Sequence, residues 1–238
     1  MLENAILISG ASQRIGLYLA KQILLNTDYP VVFTYRAKKP GVNELMQLGA
    51  IGIQLDLTHA DSVARLVDVL NQQVVSLRAV IHNASIWASD EDIAKDYSLF
   101  ESMFQLHVER PYQLNIALKP LLDASDSTLK DIVAITDTSV DLVNDQHIAY
   151  LASKTALSNL TKNFAKKYAP QIKVNTIAPG LILFNDGDTP AYKQKRLTQS
   201  AIPIEPGPIV IWQALSYLLN SSYTTGISLP VDGGKNLI

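Results

Sequence analysis

The sequence predicts an α/β fold: one doubly wound domain, residues 1–238, with about seven mostly parallel strands and helices on both faces. Three observations predict it. Short runs rich in Val and Ile recur at regular intervals, helix-length segments with a 3.6-residue apolar period separate them, and 238 residues suffice for one large core. Strand, helix and further strand make a right-handed crossover, and repeated crossovers cover both faces of a parallel sheet.

The elements follow in order. AILIS (5–9) reads as the first strand, and the helix after it carries the stripe Leu17, Ala20, Ile23 and Leu24. VVFTY (31–35) and IGIQLDL (51–57) are the second and third strands, and Val63, Leu66, Val67 and Leu70 repeat the helical stripe behind them. AVIHN (79–83), DIVAIT (131–136) and KVNTIA (173–178) are the fourth, fifth and sixth. Ser85 to Lys130 reads as two helical segments, with Phe100, Met103 and Phe104 as packing residues. A helix from Ile209 to Leu219 and a last strand near Ser228 to Val231 complete the chain. Residues 183–207 mix Asp, Gly, Pro and charge, which suits a mobile lid over a site.

Composition narrows the function. Hydrophobic residues at 47% with 18% charged residues describe a globular protein, and a net charge of −2 lacks the basic surplus that generic nucleic-acid binding requires. With no cysteine, disulfides and thiolate metal sites are excluded, and the four histidines have no pair at metal-ligand spacing, so no metal is expected. No apolar run approaches the roughly 20 residues of a membrane span, and glycine interrupts MLENAILISGAS too soon for a signal peptide. The expectation is a soluble cytoplasmic protein.

SGASQRIG (9–16) directly follows the first strand and opens the first helix, where a doubly wound, Rossmann-type fold binds a dinucleotide pyrophosphate. Gly10 suits the tight turn and Gly16 close helix packing, while Arg14, followed by Ile15, stands where the common fingerprint has its middle glycine. A turn that only closes a βα unit has the same residues. Tyr35 and Arg36 end the second strand, followed by Lys38 and Lys39, with no acid for a ribose 2′-hydroxyl. A guanidinium there suits a 2′-phosphate and favours NADPH over NADH; a solvated basic loop is the alternative. Asp56 either accepts from an adenine amino group or starts a turn, and His82-Asn83-Ala84-Ser85 ends the fourth strand beside the crevice. Ser85 either contacts a ligand or caps the next turn.

Tyr150 and Lys154 are four residues apart in a helical segment and share one face. A nearby ammonium lowers a phenol pKa that starts near ~10, making the hydroxyl a usable proton donor.

Four signals in order, Gly10 to Gly16, Asn83 with Ala84, Tyr150 with Lys154, and Pro179 with Gly180, resemble the short-chain dehydrogenase/reductase family over the full length. The resemblance implies that Tyr150 is the general acid, that Lys154 lowers its pKa and holds the nicotinamide ribose, and that NADPH supplies hydride. It also implies a homotetramer built through Glu101–Leu122 and Ala149–Ala169. Two positions depart from the family pattern. Asp137 stands where a serine usually holds a substrate carbonyl, thirteen residues before the tyrosine, and His107, in LHVERP, stands where a catalytic asparagine is expected.

A carboxylate repels a carbonyl oxygen that gains charge, so a simple ketone fits poorly; N–H donors or a ring nitrogen to be protonated fit well. Reduced pterins carry such groups. Arg14 together with Asp137 resembles the pteridine reductases of the family, and the runs IHNAS (81–85), QLHVERPYQLN (105–115), HIAYLASK (147–154) and APGLILFN (178–185) resemble in particular a bacterial branch acting on dihydromonapterin and, less well, dihydrofolate. By that resemblance Trp87, two positions after Ser85, stacks on the pterin; a core tryptophan is the alternative. Two other functions compete: a carbonyl reductase for an acyl thioester or sugar ketone, against which Asp137 stands, and an idle NADP(H)-sensing protein, against which Tyr150 and Lys154 stand.

Overall fold

A computed structural model describes all 238 residues. In chain order the main elements are β1 (Ala5–Ile8), α1 (Arg14–Asn26), β2 (Val31–Tyr35), α2 (Pro40–Gln47), β3 (Ile51–Gln54), α3 (Ser62–Gln73) and β4 (Leu77–His82). There follow α4 (Asp90–Lys95), α5 (Ser98–Phe104), a π-helical turn (Gln105–Glu109), α6 (Arg110–Ala117), α7 (Lys119–Asp123) and β5 (Asp131–Ile135). The rest comprises α8 (Ile148–Tyr168), β6 (Lys173–Pro179), α9 (Pro190–Leu197), α10 (Ile209–Asn220) and β7 (Ser228–Val231).

The seven strands form one parallel sheet in the order β3-β2-β1-β4-β5-β6-β7. Alternation along each strand divides the core. Ile6 and Ile8 of β1 face α1, α2 and α10 with Phe33, Leu19 and Leu215, whereas Ala5 and Leu7 face α3, α6 and α8 with Leu66, Leu114 and Phe164. Both faces are therefore buried, as an all-parallel sheet requires.

Ser85 to Lys130 departs from the two expected helices. It is broken into α4 to α7, because Pro111 and Pro120 open new helices and the π turn interrupts the longest run. The segment read as a lid contains α9, started by Thr189, whose side chain accepts the Tyr192 N–H.

At the amino edge of the sheet, three neighbouring strands contribute a buried charge cluster. Asp131 of β5 accepts from Arg78 of β4 (2.6 Å) and forms an ion pair with Lys173 of β6 (2.9 Å). The two cations also hold the last carbonyls of α10: Arg78 donates to Leu219 O, and Lys173 to Leu218 O and Ser221 O, each at 2.7 Å. Cations belong at that negative helix end.

Candidate active site

The strand order reverses between β1 and β4, so the crevice at the carboxyl edge opens there, between the glycine turn and the Asn83-Ala84-Ser85 loop. Gly10 has φ +71°, and a Cβ on it would lie 2.8 Å from Ala84 Cα. A Cβ on Gly16 would overlap Asn83 Nδ2 and lie 2.5 Å from Gly10 O. That Nδ2 donates to Ser9 O (3.0 Å) and Gly10 O (2.8 Å), so the Asn83 amide is spent on shaping the turn. Helix α1 has no side-chain cap at Gln13 and no acid in its first turn. The first-turn N–H groups, Ile15 among them, are thus left for an anionic group.

Arg14 adopts the left-handed conformation, φ +53°, that favours glycine, an uncommon state for a long side chain. Its guanidinium reaches across the crevice to Asn185 Oδ1 (2.8 Å) and Leu183 O (3.4 Å). The glycine turn and the segment over the site are therefore joined.

At the end of β2, the Tyr35 ring packs on Phe33, and Arg36, Lys38 and Lys39 are exposed with no acid among them. Asp56 Oδ1 accepts from the Thr58 N–H (2.9 Å) and hydroxyl (2.8 Å). Burial would raise the Asp56 carboxyl, but these bonds and the Arg36 charge hold it below the usual carboxylate range. Pro179 ends β6. Gly180 follows it, where a Cβ would lie 2.8 Å from Asp232 Cα. The cradle, the uncapped helix and the cationic strand end fit NADPH.

Asp137, Tyr150 and Lys154 converge beside this cradle. Tyr150 Oη donates to Asp137 Oδ2 (3.3 Å), and Asp137 Oδ1 accepts the Ser139 N–H (2.7 Å). Lys154 Nζ donates to Ile135 O (2.9 Å) and lies 5.8 Å from the Tyr150 ring centre. Burial pulls the lysine down to about 8, against the Asp137 charge that favours its ammonium form. One expectation is corrected here: the phenol pKa is not lowered. Burial pushes it up, and the Asp137 carboxylate pushes the same way, because neither tolerates a second anion. Tyr150 is therefore held as a neutral phenol, a donor rather than a base.

Ser85 is exposed at the crevice, with Oγ 2.9 Å from His107 Nε2. Trp87 is not a core residue: it is 63% exposed, its ring tilted against His147 with centroids 4.6 Å apart. His107 does not stand free to hold a water, since both its ring nitrogens are engaged by the chain.

Three contributors escaped sequence reasoning. Asp90 accepts the Ile148 N–H (2.9 Å) and so caps α8 from outside. Thr138 donates to Asp232 (2.6 Å) and Lys235 to Ser139 Oγ (2.5 Å), so the carboxyl-terminal segment braces the turn after Asp137. The Ser89 to Asp92 capping box was a local signal for α4, but nothing local pointed from residue 235 to residue 139.

A family model described as enoyl-(acyl carrier protein) reductase matches residues 10–236. Dihydromonapterin reductase of Klebsiella pneumoniae subsp. pneumoniae is 43% identical over 232 residues, which are 98% of this chain and 96% of that protein. The chain belongs to the short-chain dehydrogenase/reductase family. A dihydromonapterin reductase of Enterobacter sp. is also 43% identical, over 235 residues covering 99% and 98% of the two chains. Among solved members of the family fold, FolM alternative dihydrofolate reductase 1 from Brucella canis, complexed with NADP, has a TM-score of 0.87 at 26% identity. That match covers 100% of this chain and 96% of the other. A 4-hydroxyisoleucine dehydrogenase complexed with NADH has a TM-score of 0.88 at 23% identity over 99% and 100% of the chains, a likeness of fold alone.

Proposed function

We propose that this chain is an NADPH-dependent reductase of a dihydropterin, with 7,8-dihydromonapterin as substrate and dihydrofolate as a weaker one. The observation that carries the reading is the Tyr150 hydroxyl bonded to the Asp137 carboxylate. A hydroxyl that holds a carbonyl oxygen is replaced there by an acceptor, which favours a heterocycle with N–H donors over a ketone. The two dihydromonapterin reductases at 43% identity support the same reading.

NADPH, when bound, supplies the hydride. Reduction of the pterin C6–N5 double bond takes that hydride at C6 and a proton at N5. Tyr150, kept protonated by burial and by Asp137, holds a proton at the crevice. The Lys154 ammonium stabilises negative charge developing on the phenol oxygen, and Asp137 orients the tyrosine and holds the substrate's donors. Trp87 offers an exposed ring for stacking on the pterin. Arg36 is assigned to the 2′-phosphate, Asp56 to the adenine, and Ile15, Pro179 and Gly180 to the walls of the dinucleotide site. The whole chain acts as one domain. Membership of the family supports assembly as a homotetramer through Glu101–Leu122 and Ala149–Ala169. No helix is long and apolar enough to cross a membrane, in keeping with a cytoplasmic enzyme.

NADPH oxidation is expected with dihydromonapterin or dihydrobiopterin and not with an acetoacetyl thioester. The reverse ranking would make the chain a carbonyl reductase. Arg36→Ala is expected to raise the KM for NADPH about tenfold and leave that for NADH unchanged; equal changes would remove Arg36 from the phosphate.

A further inference from the structure

His107 is 1% exposed in the π-helical turn and makes three polar contacts. Nε2 accepts the Ile86 backbone N–H (3.2 Å) and lies 2.9 Å from Ser85 Oγ, while Nδ1 lies 2.8 Å from Ser153 Oγ. Ser153 Oγ also lies 2.7 Å from Tyr150 O, which can only accept, so the Ser153 hydroxyl proton is committed there.

These contacts select one proton arrangement. A backbone N–H can only donate, so Nε2 is bare, and the single ring proton sits on Nδ1 and points at Ser153. The other tautomer would set two N–H groups against each other at Ile86 and give Nδ1 no donor, because Ser153 has used its proton. With Nε2 bare, the 2.9 Å contact to Ser85 holds only if the serine hydroxyl points at the imidazole. Burial and the Lys154 charge hold the ring down at about 2, so it is neutral at any working pH.

We infer that His107 is a positioning residue, locked as the neutral Nδ1–H tautomer, that turns the Ser85 hydroxyl away and leaves Ser85 only lone pairs to offer a ligand in the crevice. Ser85 is exposed, so those lone pairs are accessible. Ser85 and Asp137 then form a two-point acceptor surface, which selects a substrate edge bearing N–H donors. This step rests on the dihydropterin reading for the ligand. The tautomer itself does not. Through Ser153 the same ring ties the Ser85 loop to the backbone of Tyr150, so the specificity element and the proton donor share one rigid connection.

The test has two arms. Two-bond proton–nitrogen NMR of the imidazoles, assigned by loss of one set in His107→Asn, is expected to find Nδ1 protonated and Nε2 bare, unchanged from pH 5 to 8. Ser85→Ala, which removes one donor to Nε2, is expected to shift that same signal and assigns it even if His107→Asn does not fold. A protonated Nε2, or a ring that titrates in this range, would overturn the inference. In the second arm, Ser85→Ala is expected to raise the dihydropterin KM about tenfold with kcat within threefold, and to add nothing further in a His107→Asn background. Additive losses would mean that His107 does not act through Ser85. Absence of dihydropterin turnover in the parent enzyme would sink the proposed function while the NMR arm still decides the tautomer.

Discussion

An aspartate and a lysine stand at both edges of the sheet, Asp131 with Lys173 at one and half-buried Asp137 with buried Lys154 at the other, and the two edges use them oppositely. At the amino edge, Asp131 touches Arg78 and Lys173 directly, and both cations also hold the end of α10. At the carboxyl edge, Asp137 bonds to a phenol instead, and Lys154 is held by the Ile135 carbonyl. The first arrangement is closed. The second leaves a lysine near 8, able to change charge in the working range, and a tyrosine held protonated. A buried ion pair anchors elements, whereas the same residue types kept out of direct contact retain reactivity.

The largest expected effect lies at the carboxyl edge. Tyr150→Phe removes the proton donor but little volume, so kcat for dihydropterin is expected to fall by about 10²–10⁴ with NADPH affinity nearly intact. A fully active variant would take the tyrosine out of the chemistry and erase the distinction between the edges.

Exchanging the perturbation sharpens the comparison. Asp131→Ala strands two buried cations and is expected to lower the stability to urea by about 3–5 kcal/mol. Asp137→Ser is expected to leave the urea midpoint nearly unchanged while reducing kcat/KM for dihydropterin about a hundredfold, because a half-exposed carboxylate with one backbone bond contributes little to folding. If Asp137→Ser proves the more destabilising of the two, the assignment of structural and chemical roles is inverted.

Much of this contrast was legible in the sequence. The alternation of strands and helices placed Gly10, Asn83, Asp137 and Pro179 at one edge, and the four-residue spacing placed Lys154 beside Tyr150. Burial was not legible. The pairing of phenol and ammonium predicts a lowered tyrosine pKa from charge alone. With Tyr150 9% and Lys154 2% exposed, loss of solvent outweighs that charge. The π turn at His107 was equally hidden, because LHVERP carries no mark that its hydrogen bonds skip to the fifth residue. Asn83 was recognised by position, yet its partners, Ser9 O and Gly10 O, are more than 70 residues away in the chain.

The smallest expected effect separates reactivity from stability within one residue. As pH rises through about 8, Lys154 loses its proton in the folded free enzyme, so kcat/KM is expected to fall toward a tenfold loss per unit. Its contribution to folding moves the other way. The folded pKa lies below the ordinary value of 10.5, so between pH 8 and 10 the unfolded chain binds the extra proton and stability rises with pH. The rise is about 1.4 kcal/mol per unit at most. Urea titrations of the wild type and Lys154→Met at pH 7, 8, 9 and 10 isolate that slope, since other groups titrate alike in both. A slope that is absent from the wild type would mean that Lys154 is charged and paired like Lys173, and the two edges would then obey the same rule.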